Sequence, residues 1–497
     1  MATELLDMII VGAGLSGIGA AWHLQNQCPG KSYAILEARE HLGGTWDLFR
    51  YPGIRSDSDM YTLGYNFKPW VNPKSIADGP SIRAYIEETA RENGIDRRIR
   101  YSQRVISASW SSEHAYWTLE VQEIASGTTH ELRARFLQMC TGYYNYAHGY
   151  TPEFTGRNKF KGTFIHPQHW PVDLDYSGKR IVVIGSGATA VTLVPALTDK
   201  AAHVTMLQRS PTYVATVPGK DVISNRLRKF LPEKLVYHMA RTRNVGLQML
   251  VYRLSKEKPQ VVRRLLLMQA RRQLGKDVDM RHFSPHYNPW DERLCAVPDG
   301  DLFKVLRSGR ASVVTDQIET LTARGITLKS GQTLEADIII SATGLDLQLM
   351  GGARLVIDGE VVDMSRTMNY KGMMFSDIPN LAMVFGYTNA SWTLKADLTS
   401  EYICRLIKHM DKVEMRQCTP RNHDSDVVAV PFLDLASGYI QRAMEKFPKQ
   451  GNKAPWKLYQ NYVKDLASLR FASVDDGVME YSHPVHRQQS HRARAPA

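Results

Sequence analysis

The chain has little cysteine and lacks the marks of secreted, membrane-spanning or thiol-based proteins. It holds 5 cysteines in 497 residues, and no two of them form a Cys-x-x-Cys pair. This argues against dithiol catalysis and a cysteine-based metal site, and it fits a reducing cytoplasm. No apolar run approaches the roughly 18 residues that a membrane span needs. The first residues carry acids where a signal peptide carries Lys or Arg, so we expect a cytoplasmic protein.

Positive charge, by contrast, is abundant and unevenly placed. The net charge is +12, and residues 220–281 hold 16 Lys and Arg against 5 Asp and Glu. Apolar residues recur there at helical spacing, which predicts a helical insertion. Its basic face is either simply solvated or attracts an anion, namely acidic lipid on the inner face of the membrane or an anionic cofactor. Nucleic acid is not expected, because no recognition motif accompanies the charge.

Two glycine-rich loops follow apolar strands. Residues 5–11 form the first strand, residues 12–17 the first Gly-x-Gly-x-x-Gly loop, and a helix follows. The next strand, residues 33–36, ends at Glu37, 20 residues after the third glycine. A strand, a glycine turn, a helix and a strand ending in an acid are typical of a dinucleotide site.

Each residue of the first loop has a role in that chemistry. Gly12 makes the tight turn, Gly14 lets a pyrophosphate approach the backbone, and Gly17 lets the helix pack on the sheet. The helix N-terminus beside Ser16 attracts phosphate charge, and Glu37 accepts hydrogen bonds from ribose hydroxyls.

The second loop differs at the position of the acid. It follows the strand 180–184, and the next strand ends at Arg209 and Ser210. A guanidinium can bind a 2′-phosphate that a carboxylate would repel, so this loop favours NADPH. The predicted contacts are Gly185, Ser186, Gly187, Ala188, Thr189, Ala190, Arg209 and Ser210.

Two similar strand ends, Cys140-Thr-Gly142 and Ala342-Thr-Gly344, indicate that the chain passes twice between two domains. We predict an α/β fold with two Rossmann-like, three-layer domains. The first is formed by residues 1–145 and 340–481, and the second is nested at 146–339 and carries the helical insertion. Residues 482–497 are rich in His, Arg, Gln and Pro, so we expect a loose tail.

Two longer motifs point to a reaction. Residues 160–171 follow the pattern Phe-x-Gly-x-x-x-His-x-x-x-Trp-Pro. Residues 43–57 follow Gly-Gly-x-Trp-x-x-x-x-Tyr-Pro-Gly-x-x-x-Asp. Both resemble signatures of the Baeyer–Villiger monooxygenases, which are class B flavoproteins. Residues 51–63 and 386–397 are also similar to the ethionamide-activating branch of this family.

The resemblance implies FAD in the first domain and NADPH in the second. It also implies oxygen insertion next to a ketone carbonyl, giving an ester or lactone, and oxygenation of sulfides or thioamides, both through a C4a-peroxyflavin. By the same resemblance, Arg55 and Ser56 face the nicotinamide. The residues that it implies for FAD are Ser16, Glu37, Thr45, Trp46, Asp47, Leu48, Asp57 and Val105.

The catalytic residues implied by the resemblance are Arg293 and Asp57. An always-charged guanidinium keeps a peroxide anionic and stabilises developing oxyanion charge, and a carboxylate orients it. His166 and Trp170 are expected at the domain junction, away from the substrate. No carboxylate or cysteine cluster accompanies His166 and His169, so no metal site is expected.

One position departs from the family pattern. Many members have Lys just before the active-site arginine, where it assists the 2′-phosphate, but this chain has Glu292. The NADPH preference therefore depends mainly on Arg209 and Ser210.

Two alternatives stay open at this point. One is a flavin monooxygenase that oxygenates only soft nitrogen or sulfur nucleophiles and has less use for Arg293. The other is a non-catalytic flavin-binding redox sensor or membrane-associated scaffold. The expected substrate is a small-molecule ketone or sulfide, used with O2.

Overall fold

A computed structural model describes residues 4–292, 294–433 and 437–484. Arg293 and nearly all of the predicted tail, residues 485–497, lie outside the described residues. The helices are α1 Leu15–Gln27, α2 Thr45–Leu48, α3 Met60–Leu63, α4 Gly79–Glu92, α5 Ala188–Leu197, α6 Val222–Leu227, α7 Glu233–Glu257, α8 Pro259–Leu274, α9 Asp301–Arg307, α10 Trp392–Lys412, α11 Gly438–Gln441 and α12 Tyr462–Leu466.

The strands are mostly short. In chain order they are β1 Leu5–Val11, β2 Tyr33–Leu36, β3 Ile99–Arg100, β4 Gln103–Ser111, β5 Tyr116–Glu123, β6 Thr129–Met139, β7 Tyr144–Gly149, β8 Thr163–Ile165, β9 Arg180–Ile184, β10 His203–Gln208, β11 Val214–Val217, β12 Cys295–Pro298, β13 Ala311–Thr315, β14 Ile318–Thr322, β15 Gly325–Leu328, β16 Thr333–Glu335, β17 Ile338–Ser341, β18 Leu345–Leu347, β19 Arg354–Ile357, β20 Glu360–Val361, β21 Asn369–Tyr370, β22 Met374–Phe375, β23 Leu381–Met383, β24 Gln417–Pro420, β25 Ala429–Pro431, β26 Lys449–Gly451 and β27 Met479–Ser482.

Each glycine-rich loop lies at the end of a strand in its own sheet. The larger sheet has the order β20-β19-β4-β5-β6-β1-β2-β3, with β23 also paired to β6. The smaller sheet has the order β13-β10-β9-β17-β8, and all its pairs are parallel. The predicted strands 5–11, 33–36 and 180–184 are confirmed, and the predicted α/β class is confirmed with them.

Both sheets are covered on both faces because their central strands are apolar on both sides. In β1, Ile10 packs into the core beneath α1, α4 and α10, and Ile9 packs against the meander β4–β6. In β9, Val183 faces α5, α8 and α9, and Val182 faces the antiparallel strands β14–β16. Each buried side chain of this size contributes about 1.5–3 kcal/mol. Around the smaller sheet the layers are helices, parallel sheet and antiparallel sheet. In the larger sheet the antiparallel meander β4–β6 continues the parallel strands through the pairing of β6 with β1.

The chain passes between the two sheets along a two-stranded ribbon. β7 follows the larger sheet, β18 follows the smaller sheet, and the two strands pair antiparallel. The predicted crossings at 140–142 and 342–344 directly precede these strands. The predicted boundary at residue 340 falls within β17.

The predicted helical insertion contains α6, α7 and α8. One part of α7 is buried against the larger sheet's side of the molecule, where Tyr237 joins the core beneath α1. Arg241 is 6% exposed, and its guanidinium donates to the carbonyls of Tyr61 and Gly64, both at 2.8 Å. A buried guanidinium is tolerated because these oxygens accept hydrogen bonds from its N–H groups. In the described part of the chain, no helix combines the length and apolar character needed to cross a membrane.

Candidate active site

A cavity of roughly 1140 Å³ is lined by residues of both glycine-rich loops. It also receives side chains from the segment 43–57 and from the two crossing strands. Most of the predicted site residues line it: Gly12, Gly14, Ser16, Glu37, Thr45, Trp46, Arg55, Ser56, Asp57, Val105, Gly185, Ser186, Gly187, Ala188, Thr189, Arg209 and Ser210. The cavity therefore joins segments that are more than 150 residues apart in sequence.

Four predicted residues lie outside the lining. A Cβ on Gly17 would lie 1.8 Å from the carbonyl oxygen of Gly12, so Gly17 lets the helix approach the turn. Leu48 and Ala190 are buried in the core of the smaller sheet. Asp47 is 1% exposed, and its carboxylate pairs with three guanidiniums, those of Arg39, Arg50 and Arg83. These four residues support the walls of the cavity from behind.

The first loop is closed around Glu37. Gly12 has φ +104°, and a Cβ there would lie 2.6 Å from the carbonyl oxygen of Cys140. The Glu37 carboxylate is 5% exposed and accepts from the amides of Ala13 at 2.8 Å and Arg39 at 2.9 Å. Burial raises the pKa of Glu37, and the two amide hydrogen bonds oppose that rise. The carboxylate is thus held in one orientation at the cavity wall.

The neighbouring groups fit a flavin dinucleotide. A Cβ on Gly44 would lie 3.0 Å from Cα of Gly14, so two bare backbones meet where a pyrophosphate would approach. The side-chain oxygen of Gln103, beside Val105, is buried and has no hydrogen-bond partner among the described residues. A buried acceptor in a cavity wall calls for a donor from a ligand.

The second loop is more open. Gly185 has φ +133°, and a Cβ there would lie 2.4 Å from the carbonyl oxygen of Ala342. Arg209 is exposed and lines the cavity together with Glu292. Burial raises the pKa of the Glu292 carboxyl, and the charge of Arg209 lowers it. The carboxylate of Glu292 and the guanidinium of Arg209 therefore interact electrostatically.

The segment around Asp57 forms another wall. The guanidinium of Arg55 pairs with Asp301, the first residue of α9, and its second nitrogen lies 3.3 Å from that carboxylate. Asp57 lines the cavity, and so do Glu292 and Cys295, which lie on either side of Arg293 in sequence.

His166, from the motif at residues 160–171, stabilises the ribbon formed by β7 and β18. Its Nε2 lies 3.0 Å from the carbonyl oxygen of Gly344, and its Nδ1 accepts from the amide of Gln168 at 3.2 Å. A Cβ on Gly149 would lie 2.1 Å from the imidazole ring. Burial lowers the pKa of His166, which favours the neutral ring. The imidazole is packed between the two crossing strands and is not among the residues lining the cavity.

Comparison with known proteins agrees with this geometry. The model of the flavin-binding monooxygenase-like family matches residues 72–350, and that of NAD(P)-binding Rossmann-like domains matches residues 10–70. The chain belongs to the flavin-binding monooxygenase-like family. Two cofactors, a flavin and a nicotinamide dinucleotide, follow from the two matches and confirm the expected pair.

Members of this family align with nearly the whole chain. The FAD-containing monooxygenase EthA of Mycolicibacterium smegmatis is 54% identical over 97% of this chain and 98% of its own length. The probable FAD-binding monooxygenase AlmA of Acinetobacter baylyi is 52% identical over 96% of both chains. The protein is therefore an oxidoreductase of the flavin monooxygenase type.

Solved structures share its fold. An oxidised steroid monooxygenase bound to NADP superposes with a TM-score of 0.76 at 20% identity, over 97% of this chain and all of the other. Cyclohexanone monooxygenase from Rhodococcus sp. Phi1, bound to NADP+, gives 0.76 at 18% identity over the same shares. Identities this low bear on the fold alone.

Within this family framework, aromatic side chains form part of the cavity wall, and of these Phe385 and Tyr146 were not singled out by any sequence pattern. The rings of Tyr143 and Trp392 stack at 5.4 Å, and Phe385 packs against both. The Trp392 indole donates to Ser16 Oγ at 2.7 Å. Tyr146, from the first crossing strand, shares a hydrogen bond with Thr45. The Tyr-rich run at 143–146 directly after a buried strand end was the available signal.

Proposed function

We propose that the protein is an FAD- and NADPH-dependent monooxygenase that inserts oxygen next to a ketone carbonyl and also oxygenates sulfides and thioamides. The supporting observation is a cavity lined by both glycine-rich loops, by Asp57, and by Glu292 and Cys295, which lie close to Arg293 in sequence. Such a cavity can hold the flavin ring of FAD, the nicotinamide of NADPH and a substrate together. The proposed substrates are small-molecule ketones or sulfides, with O2 as co-substrate.

The first loop and its neighbours hold FAD in this proposal. Gly14 and Gly44 admit the pyrophosphate, Glu37 accepts from the ribose, and Gln103 accepts from the adenine side. Bound FAD, once reduced by NADPH, supplies the chemistry that activates oxygen. The wall of Tyr143 and Trp392 excludes water from the reacting carbonyl, which strengthens electrostatic interactions there.

The second loop holds NADPH through charge. Arg209 and Ser210 bind the 2′-phosphate, because a guanidinium forms strong charge-assisted hydrogen bonds with phosphate oxygens. Arg55, oriented by Asp301, faces the nicotinamide. Glu292 lies beside this site and weakens phosphate binding, because its negative charge offsets part of the positive charge of Arg209.

Arg293 and Asp57 carry the substrate chemistry. The guanidinium of Arg293 stabilises the negative charge that develops on the carbonyl oxygen during oxygen insertion, and Asp57 orients it. Soft sulfur nucleophiles develop no such charge. The two activities should therefore depend on Arg293 to different degrees.

The test is a screen of NADPH oxidation with linear, cyclic and aryl ketones and with aryl sulfides, with products identified by mass spectrometry. Arg293→Ala should abolish ester formation, leave flavin bound and reduce sulfoxidation less. Arg281→Ala is the matched control, because Arg281 is 90% exposed and pairs only with Asp279 among the described residues. A protein that makes sulfoxide but no ester at any pH would instead be a nitrogen- and sulfur-oxygenating enzyme.

A further inference from the structure

We propose that the outer surface of the α7–α8 hairpin docks on an anionic lipid bilayer. This surface consists of Leu247, Leu250 and Leu254 on α7 and Val261, Leu265 and Met268 on α8. All six side chains are exposed, from 36% for Leu254 to 57% for Leu247. The inference concerns a surface away from the cavity and does not rest on the proposed reaction.

The apolar residues recur at helical spacing on each helix. On α8, Val261, Leu265 and Met268 follow i, i+4, i+7, whereas the buried Ala270 and Leu274 lie on the opposite face. On α7, the apolar face that packs into the protein at Val236 and Ala240 continues into the exposed second half of the helix. The hairpin therefore projects an apolar stripe that the described residues of its own chain do not cover.

Basic side chains flank that stripe. Arg264, Arg271 and Arg272 are exposed on α8 and, with Met268, line a shallow groove of roughly 420 Å³. Arg253 is 74% exposed on α7. A basic helical face beside exposed aliphatic side chains is the pattern of helices that lie in the membrane interface. Each Lys or Arg near an anionic surface contributes about 1 kcal/mol.

The combination of charge and apolar surface selects the occupant. A second copy of the chain would bring the same basic stretch against itself, and like charges repel. Nucleic acid would match the charge, but aliphatic side chains do not provide the aromatic stacking that bases use. Acidic phospholipid satisfies both features, since its headgroups pair with the arginines and its acyl region takes up the aliphatic side chains.

The inner side of the hairpin is fixed, so the outer surface is presented without rearrangement. Arg263 donates to the hydroxyl of Tyr213 at 2.6 Å and to the carbonyl of Pro285. Lys256 donates to the carbonyl of Trp290 at 3.1 Å. These contacts hold the loop that leads to Glu292 at the cavity.

The experiment is vesicle flotation of the flavin-loaded full chain. Vesicles of phosphatidylcholine with phosphatidylglycerol are compared with vesicles of phosphatidylcholine alone, at low and high salt. We expect binding to the anionic vesicles, and a tenfold or greater loss of binding both at high salt and in the variant L250S/L254S/L265S. R264Q/R271Q/R272Q should lose most of the preference for anionic lipid.

The matched control is V172S/V361S, which removes two valines that are 83% and 62% exposed outside the hairpin. It should float like the unmodified protein. Equal flotation of the hairpin variant, or equal binding to both kinds of vesicle, would overturn the proposal. So would a dimer that requires the hairpin leucines and forms without vesicle binding, because the second copy would then be the occupant.

Discussion

The two glycine-rich loops begin alike and then diverge. Gly12 and Gly185 both have positive φ, and both lie against the last carbonyl of a neighbouring strand segment, that of Cys140 or of Ala342. A Cβ at either position would clash with that carbonyl oxygen, at 2.6 Å for Gly12 and 2.4 Å for Gly185. The same kind of glycine turn therefore occurs in both loops.

What surrounds each turn is different. Gly14 of the first loop faces Gly44, and Glu37 is buried and fixed by two amides. A Cβ on Gly187 of the second loop would meet no described heavy atom within 4 Å, and Arg209 is exposed. A closed, pre-oriented site suits a cofactor that stays bound, and an open, charged site suits one that enters and leaves each cycle. We therefore propose that the first loop retains the flavin and that the second loop exchanges the nicotinamide coenzyme.

The largest effect should come from breaking the first turn. Gly12→Ala places a Cβ 2.6 Å from a backbone oxygen at a φ that costs about 1–3 kcal/mol for other residues. We expect at least a tenfold loss of FAD affinity, measured as bound flavin per protein. Gly185→Ala should retain flavin and lose NADPH binding instead.

Gly30→Ala is the control for both substitutions, because a Cβ at Gly30 would meet no described atom within 4 Å. Loss of flavin from Gly185→Ala alone, with retention in Gly12→Ala, would reverse the assignment of the two loops.

Arg209→Ala tests the charge of the second loop. Loss of charge-assisted hydrogen bonds, worth about 1.5–3 kcal/mol, should raise KM for NADPH about 10- to 100-fold. The KM for NADH and the kcat should change little, since the 2′-phosphate is absent from NADH. Steady-state rates with both coenzymes measure this, with Arg366→Ala, at an 87% exposed arginine, as control. An equal loss with NADH would remove Arg209 from phosphate recognition.

Glu292→Gln should sharpen the contrast between the loops. Removing a negative charge beside Arg209 should lower KM for NADPH about three- to tenfold, and Glu292→Lys should lower it further. Burial raises the pKa of Glu292, so its carboxylate becomes neutral as the pH falls through that raised value. NADPH should therefore bind more tightly on the acid side in the unmodified protein, and this trend should vanish in Glu292→Gln. A persisting trend would point to another titrating group.

The smallest effect concerns the joint between the two loops. His166→Ala removes the hydrogen bond to Gly344 and should lower the free energy of unfolding by about 1–2 kcal/mol. The pKa of His166 is lowered by burial, so the neutral ring stabilises the fold above about pH 6.5 and this contribution is lost as the pH falls through the depressed value. The difference between the two proteins should shrink in acid. Thermal unfolding at several pH values measures it, with His130→Ala as control; a constant difference would contradict this role.

Local sequence patterns were enough to predict the first strand of each parallel sheet and the glycine-rich loop that follows it. Residues 5–11 and 180–184 are apolar apart from Asp7 and Arg180, and a glycine follows each run, so their strands and turns follow from neighbouring residues. The partners that shape the site come from far along the chain. Arg55 pairs with Asp301, and Trp392 donates to Ser16. Such pairs depend on how layers pack, which no short pattern encodes.

The position of a side chain behind the cavity wall could not be predicted from sequence for the same reason. The motif at 43–57 implied a cofactor contact for Asp47, but three guanidiniums surround its carboxylate. Those arginines lie outside the motif's fixed positions, so the pattern held no information on them. Membership of the motif marks the neighbourhood of the expected ligand, and burial decides which of its atoms face the cavity.

The paired crossing strands have a consequence for how this protein can be altered. Gly149 and Leu345 are partners in the ribbon, so the intervening segment leaves and rejoins the rest of the chain at adjacent points. A segment with adjacent ends can be inserted into another protein without having to bridge a gap. The segment that carries Arg209 and Glu292 therefore has adjacent ends for transplantation as a cassette. Its contacts with the rest of the chain, from Arg241 to Tyr61 and from Asp301 to Arg55, have to be matched in the recipient protein.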